Sequence, residues 1–472
     1  MQTTKDYALY AGNPELTRNI WQELTLQRLI VVPVVLLLLL ILTKYSASDA
    51  YFHSRLMRGS LMVFALVAFF WGTRLVGDTL AQEFTDGTWD SQRMSGLKAM
   101  PLVIGKLFGG TIIVWYALVF LLGAFVYACM SKPYGAVSGW VVFQAVLGLI
   151  LLTIIMHGLT MSSLLALWKK QDSRASKNMR FAMALPLLGA CVLSFTSISI
   201  ASNVYRNWAE SDVINWFSMG FNVLTLMLLI VFFMACWVII GVWQQMRSEL
   251  RFYTQPWWWL GFLVFWMFIL AGFVTDEWNQ PQLGGHWLIY LRICLAFVIL
   301  SVYVQMLFAT KDSMYWLRFS GALKRKNFKA FGNLFPAWLT SYIVALVLSC
   351  VLVGMMLYRN EQHMIWFVIS VAFFVFRDIL LAIWLNLSKD NKRADAAWVF
   401  YLVILYGLLP WLAHEAVSEY TQYLFHPVLA GNLFWDSSYA WVTLSPVIQA
   451  IVMLVLVIRR WNKRKIGAVY VK

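Results

Sequence analysis

The sequence predicts an all-α integral membrane protein, with about twelve transmembrane helices in two six-helix parallel repeats and both termini cytoplasmic. Three observations predict it. Charged residues make up only 12% of the chain and hydrophobic ones 61%, whereas a soluble domain carries about 25% charge; the mean hydropathy of +0.70 points the same way. The apolar residues fall in runs near the ~20 needed to cross a bilayer core. Lysine and arginine concentrate in alternate connections between those runs.

The runs place spans at 29–44, 58–77, 102–130, 140–168, 181–202, 216–243, 257–275, 286–309, 334–358, 364–387, 396–413 and 440–459. The first is short, but Arg28 and Lys44 can snorkel from its ends. Tryptophans cluster at span ends, as in Trp257-Trp258-Trp259 and at Trp435, where headgroups accept an amphipathic ring. One set of loops holds Arg93 and Lys98, then Lys169, Lys170 and Arg174, then Arg247 and Arg251. It continues with Lys311, Arg318 and Lys324, then Lys389 and Lys392, and ends on Arg459 and Arg460. The other set holds Lys132, Arg206 and Arg359, and none in 276–285 or 414–438. The basic side is cytoplasmic by the positive-inside rule. Loop 45–57, with Arg55 and with Arg58 just beyond it, dissents. The polar residues 1–28, with no small-residue cleavage site after the first apolar run, argue for a retained span rather than a cleaved signal.

The halves, 1–246 and 247–472, echo one another. Glu23-Leu24 before the first span matches Glu249-Leu250 before the seventh, and Arg58 matches Arg292 at the head of the second span of each half. Arg93-Met94-Ser95-Gly96 matches Arg318-Phe319-Ser320-Gly321, and Lys169–Ala175 resembles Lys389–Ala394 after the fourth span. Six spans is an even number, so duplicated halves share an orientation.

Residues 13–28 read as an amphipathic helix on the membrane surface. Asn13 caps it, Pro14 suits its first position and Glu15 favours its positive end. Leu16, Ile20, Leu24 and Gln27 share a face. The stretch 78–100 gathers Asp78, Glu83, Asp86 and Asp90 in a chain with only 22 acidic residues. Gly87 permits a tight turn, Thr88 can cap the helix that follows, and exposed Trp89 and Met94 would fill a partner's groove. Pro101 and Gly105-Lys106 open the next span; Gly105 and Gly109, one turn apart, permit close helix contact.

An acidic, glycine-broken segment after span two, followed by a span entered through Gly-Lys, resembles the coupling segment of type-2 ATP-binding-cassette (ABC) exporter permeases. The resemblance implies a fused double-unit permease, preceded by an interfacial helix. Glu83, Asp86, Gly87, Thr88, Trp89, Arg93, Gly105 and Lys106, with Arg318 in the second half, would then couple to an ATPase. The second segment, 311–317 before Arg318, lacks Glu and Asp-Gly-Thr and reads as shorter. No G-x-x-x-x-G-K-[ST] occurs, so the expected cytoplasmic ATPase, in two copies with its ATP and magnesium, is a separate chain. No cofactor is expected in this one, and the expected location is a bacterial cytoplasmic (inner) membrane.

Charge inside a span invites a functional reading. His157, Arg377 and Asp378 could meet a cargo headgroup or relay a proton; the plainer reading is polar contact between helices. Neighbours on a helix do not face each other, so Arg377 and Asp378 are each expected to find a partner on another span. His414, Glu415, Glu419, His426 and Asp436 suggest a metal site, but the aromatic run around His426-Pro427 fits short helices dipping into the outer leaflet, as in the resembling family, and no metal is expected. Cys129, Cys191, Cys236, Cys294 and Cys350 each stand alone in an apolar run, without metal-ligand spacing. The net charge of +15 lies in short loops, which argues against nucleic acid. Two further classes compete with the exporter. One is an ion-coupled secondary transporter of the twelve-helix class, disfavoured by few buried carboxylates. The other is an integral membrane enzyme, disfavoured by small outer loops.

Overall fold

The computed structural model describes residues 13–45, 52–94, 96–131, 138–170, 213–254, 257–274, 285–359, 362–388, 393–416, 424–425 and 444–469. It is an all-α membrane protein. Among the described residues nine helices are long and apolar enough to cross a bilayer, and a bent pair at the start makes a tenth if counted as one span. Trp257–Ala271 is apolar but only 15 residues long. The expected fifth span, 181–202, and most of the expected outer loop 414–438 lie outside the described residues. The chain divides into two compact units, 1–214 with 220–254 and 215–219 with 255–472.

The first unit opens with α1 (Pro14–Glu23) and α2 (Leu26–Tyr45). Asn13 caps α1, its side chain accepting from Leu16 N at 3.2 Å. The helix expected over 13–28 stops at Glu23, and α2 leaves at 68°: the polar face of α1 and the uniformly apolar α2 require different surroundings, so the chain turns at Leu24-Thr25.

Helix α3 (Phe52–Thr85) has 34 residues and one wide π-turn at Leu66–Trp71. Such a helix is about 51 Å long, against a hydrocarbon core of about 30 Å. The helix is therefore longer than the core, and it runs on to Thr85, well beyond the expected limit at 77. After Asp86 and Gly87 comes the short helix α4 (Thr88–Met94). The expected continuous span 102–130 is two helices, α5 (Ala99–Gly109) and α6 (Ile112–Met130). The break follows from a π-turn at Gly105–Gly109 and the adjoining Gly110. Helix α7 (Gly139–Lys170) and, after the hairpin β1 (Val213–Trp216) and β2 (Met219–Asn222), helix α8 (Val223–Glu249) complete the unit. Residues 216–222, expected in a span, belong to that hairpin, so the span starts at Val223. The core lies among α3, α4, α5, α7 and α8, around Leu80, Phe84, Trp89, Leu102, Leu164 and Val242.

The second unit holds α9 (Trp257–Ala271), α10 (His286–Phe308), α11 (Ser313–Lys324), α12 (Phe328–Leu334), α13 (Ala337–Tyr358), α14 (Gln362–Asn386), α15 (Ala394–Ala416) and α16 (Leu444–Val469). Among the described residues, Val302, Met306, Trp338, Ile379 and Trp398 belong to one of its two cores, and Leu263, Leu288, Val298 and Leu352 to the other. The segment before Arg318 is not a shortened version of α4. Asp312 caps a 12-residue helix, accepting from Tyr315 N at 3.3 Å, and a second short helix follows. The motif match at 93–96 and 318–321 also diverges locally: Gly96 takes a left-handed φ of 71°, whereas Gly321 lies inside α11. Cys129, Cys236, Cys294 and Cys350 are thiols outside any disulfide; Cys191 lies outside the described residues.

Candidate functional site

The C-terminal end of α3 is held by a buried lysine. Lys106, four per cent exposed, is paired with Glu83 of α3 and stands 3.5 Å from Glu15 Oε1 of α1. Arg18 of α1 reaches Glu15 Oε1 at 2.8 Å and Glu83 Oε1 at 3.6 Å. Gln92 Nε2 donates to Glu83 Oε1 at 2.9 Å. Two carboxylates and two cations thus balance, the arrangement that makes buried charge tolerable. The Lys106 ammonium also sits 5.5 Å from the centre of the Trp89 ring, within cation–π range.

The backbone explains why α1 can reach this place. Gly105 and Gly109 turn towards α1, not towards another long helix. A β-carbon on Gly105 would lie 2.7 Å from Glu15 Cβ and 3.0 Å from Leu16 N, and one on Gly109 would lie 2.9 Å from Asn19 Cβ. Asn19 Nδ2 donates to Gly105 O at 3.1 Å, and Asn13 Nδ2 to Pro101 O at 2.8 Å. Four helices, α1, α3, α4 and α5, therefore meet at one joint.

Trp89 is buried, not exposed as expected. Its ring packs on Phe84 at 4.9 Å, because the turn at Asp86-Gly87 folds α4 back against the end of α3. Gly87 makes that turn with φ of 71°. The Thr88 hydroxyl donates backwards to Glu83 O at 3.3 Å, closing α3 rather than capping α4. Asp86, Gly87, Thr88, Asp90 and Met94 form the outer face. Arg93 lies 3.3 Å from Asp90 on the same short helix. Arg318 is exposed on α11 in the second unit. Sequence reasoning placed Glu15 at a helix end but missed its pairing; an acid on the buried side of an amphipathic helix was the available signal.

His157, on α7, is enclosed. Its Nε2 lies 3.0 Å from Ala68 O of α3; a carbonyl only accepts, so Nε2 carries the hydrogen. Gly72 of α3 passes so close that any β-carbon there would overlap the ring. Trp115 packs edge-on at 5.9 Å.

Arg377 and Asp378, expected to look to other spans separately, pair with each other. The guanidinium bends back along α14, and its Nε and Nη2 donate to Asp378 Oδ1 at 2.9 and 2.8 Å. Asp378 Oδ2 accepts from Tyr303 of α10 at 2.7 Å and from Tyr406 of α15 at 2.6 Å. Arg377 Nη1 donates to Gln449 of α16 at 2.6 Å, and Trp398 Nε1 donates to Asp378 O at 3.0 Å. The expected partners on other helices are present, on α10 and α15 for Asp378 and on α16 for Arg377, and the direct pair between the two neighbours is an addition that the expectation excluded. Sequence reasoning missed Tyr303 and Tyr406, whose hydroxyls inside apolar runs were the visible sign. Among the described residues no three His, Cys, Asp or Glu side chains are grouped to hold a metal ion. Glu419, His426 and Asp436 lie outside the described residues.

The chain matches no family model, no curated protein and no solved structure.

Proposed function

We propose that this chain is the membrane-spanning permease of an ATP-driven ABC exporter, moving an amphipathic or lipid-like cargo with energy from a separate cytoplasmic ATPase. The observation that carries the reading is the joint at Lys106. Helix α4 rides on the end of α3, its rear face locked by Trp89 and the Glu83–Lys106 pair. Its outer face offers Asp86, Asp90 and Met94 to a partner. A push on α4 then moves α3, α5 and α1 together instead of bending a loop. A packing order common to the two units also supports the reading. In each, the second long helix packs most extensively on the third and the fourth on the last: α3 with α6 and α7 with α8, then α10 with α13 and α14 with α16.

Purification of the tagged chain in mild detergent, with identification of bound chains, tests this. An ATPase is expected with the unaltered chain. Replacing Asp86 and Asp90 by lysine should weaken its capture about tenfold, about 1.4 kcal/mol, with the unfolding temperature unchanged. Glu83 is unsuited to the test because it is internal. Absence of any ATPase would sink the proposal.

One observation favours a second reading, the ion-coupled secondary transporter. Asp378 is a carboxylate fully buried within a long apolar helix, where ionisable groups commonly mark ion or proton pathways. Solute uptake by the chain alone on an ion gradient, lost in Asp378→Asn, would replace the exporter by this carrier.

A further inference from the structure

The connection between α10 and α13 carries a surface that the exporter reading does not use. Helix α11 ends at Lys324 and α12 begins at Phe328. Every side chain from Leu323 to Lys329 is exposed. Four of them, Lys324, Arg325, Lys326 and Lys329, are cations, and none is an acid. Beside these charges Leu323, just before Lys324, is 56% exposed, and Phe328, between Lys326 and Lys329, is 76% exposed.

This tip is a built element. Lys326 takes a left-handed φ of 51°, Asn327 N donates to Ala322 O at 3.1 Å, and the Asn327 side chain accepts from Ala330 N at 3.1 Å. Behind it Phe319 and Phe331 pack at 4.9 Å, and Phe331 and Phe335 at 5.5 Å. Tyr315, whose hydroxyl donates to Leu334 O, fastens α11 to the end of α12. Burial raises the Tyr315 pKa above the usual phenol range, and Asp312 adds to it, so the hydroxyl keeps its proton. The two-helix element is held at both ends by long apolar helices, so its tip lies within about 18 Å, the length of α11, of the end of a span.

We propose that this tip docks on an anionic lipid surface, Phe328 and Leu323 entering the interface while the four cations meet lipid phosphates. Exposed apolar side chains next to a run of cations match the two components of such a surface, acyl boundary and negative headgroups. A wholly charged acidic protein face or a nucleic-acid duplex would pair the charges but would leave Leu323 and Phe328 in water. The inference rests only on the chain's residence in a membrane, not on the exporter reading.

The full chain in nanodiscs tests it, with phosphatidylcholine alone or mixed equally with phosphatidylglycerol, read by amide hydrogen exchange over 322–329. Each cation near an anionic surface is worth about a fivefold bias, so exchange should slow about tenfold or more in the anionic discs. About 1 M salt should remove the effect. So should the joint variant Lys324→Gln, Arg325→Gln, Lys326→Gln and Lys329→Gln, with amides of 315–320 unchanged as the check that α11 stays folded. Phe328→Ser should reduce the protection; no reduction would overturn entry of the ring. Equal exchange in both discs, or protection arising only when an acidic polypeptide or nucleic acid is added, would overturn the proposal.

Discussion

Lys106→Met is expected to release α1 from the end of α3 and to destabilise the first unit by about 3–5 kcal/mol, the usual cost of removing one partner of a buried ion pair. Methionine fills much of the lysine's volume, so the loss is electrostatic rather than a cavity. Glu15 and Glu83 would be left facing one another with four and eighteen per cent of their side chains exposed. Arg18 approaches both carboxylates, but its side chain is 46% exposed, and water screens what it can offer. Hydrogen exchange of Pro14–Glu23 amides should rise to the level of an undocked helix. The unfolding midpoint in detergent should fall with it. Adding Glu15→Gln to Lys106→Met should recover part of the loss, because one of the stranded charges is gone; a double-mutant cycle reads that coupling. Unchanged protection of α1 in Lys106→Met would show that the packing of Gly105 and Gly109, and not the charge, holds it.

The membrane class and the positions of the long helices were legible because lipid leaves the chain few options: backbone groups must bond within the segment, so apolar length reads directly as helix. The cap at Asn13 and the turn at Gly87 were equally legible, since each is a local preference of one residue type. Boundaries failed where two local rules competed. Residues 216–222 are apolar enough for a span, yet they form a hairpin whose turn, Phe217 and Ser218, takes positive φ at both positions. The segment 102–130 is apolar throughout, yet three glycines within six residues, Gly105, Gly109 and Gly110, let a neighbouring helix in and break it.

The candidate site was legible as a list of residues and not as a mechanism. Glu83 and Lys106 lie 23 positions apart, and Glu15 is 91 from Lys106; no periodicity links them. Trp89 was misplaced for a related reason. An aromatic in a polar loop reads as exposed until the turn that precedes it is known to be tight enough to fold it back on Phe84. With Trp89 buried, the docking face that the exporter proposal requires falls to Asp86, Asp90 and Met94, and substitutions of Glu83 test the fold of the joint.

The second large effect is expected at Arg377 and Asp378, where the double variant should be milder than the sum of its parts. Arg377→Leu leaves the Asp378 carboxylate with two tyrosine donors inside an apolar helix; Asp378→Asn leaves the guanidinium without a counter-charge, with Gln449, two ring faces and a neutral amide oxygen. Either single change should cost about 3–5 kcal/mol, in line with the ~2.5–3.5 kcal/mol of placing one charge at mid-membrane. Arg377→Leu with Asp378→Asn removes both charges, and the introduced amide oxygen can still accept from Tyr303 or Tyr406, so its cost should not exceed that of the worse single variant. Tyr406→Phe removes one donor to a charged acceptor and should cost about 1.5–3 kcal/mol. Equilibrium unfolding in mixed detergent, run on all four variants, yields the coupling energy directly. Because Tyr303, Tyr406 and Gln449 sit on α10, α15 and α16, a network that is chiefly structural should lose stability and helix packing together in each single variant. Strictly additive losses would show that Arg377 and Asp378 do not act as a pair. An Asp378→Asn chain that keeps full stability but stops transport would instead mark the carboxylate as a working part of the pathway, since the fold would then owe nothing to its charge.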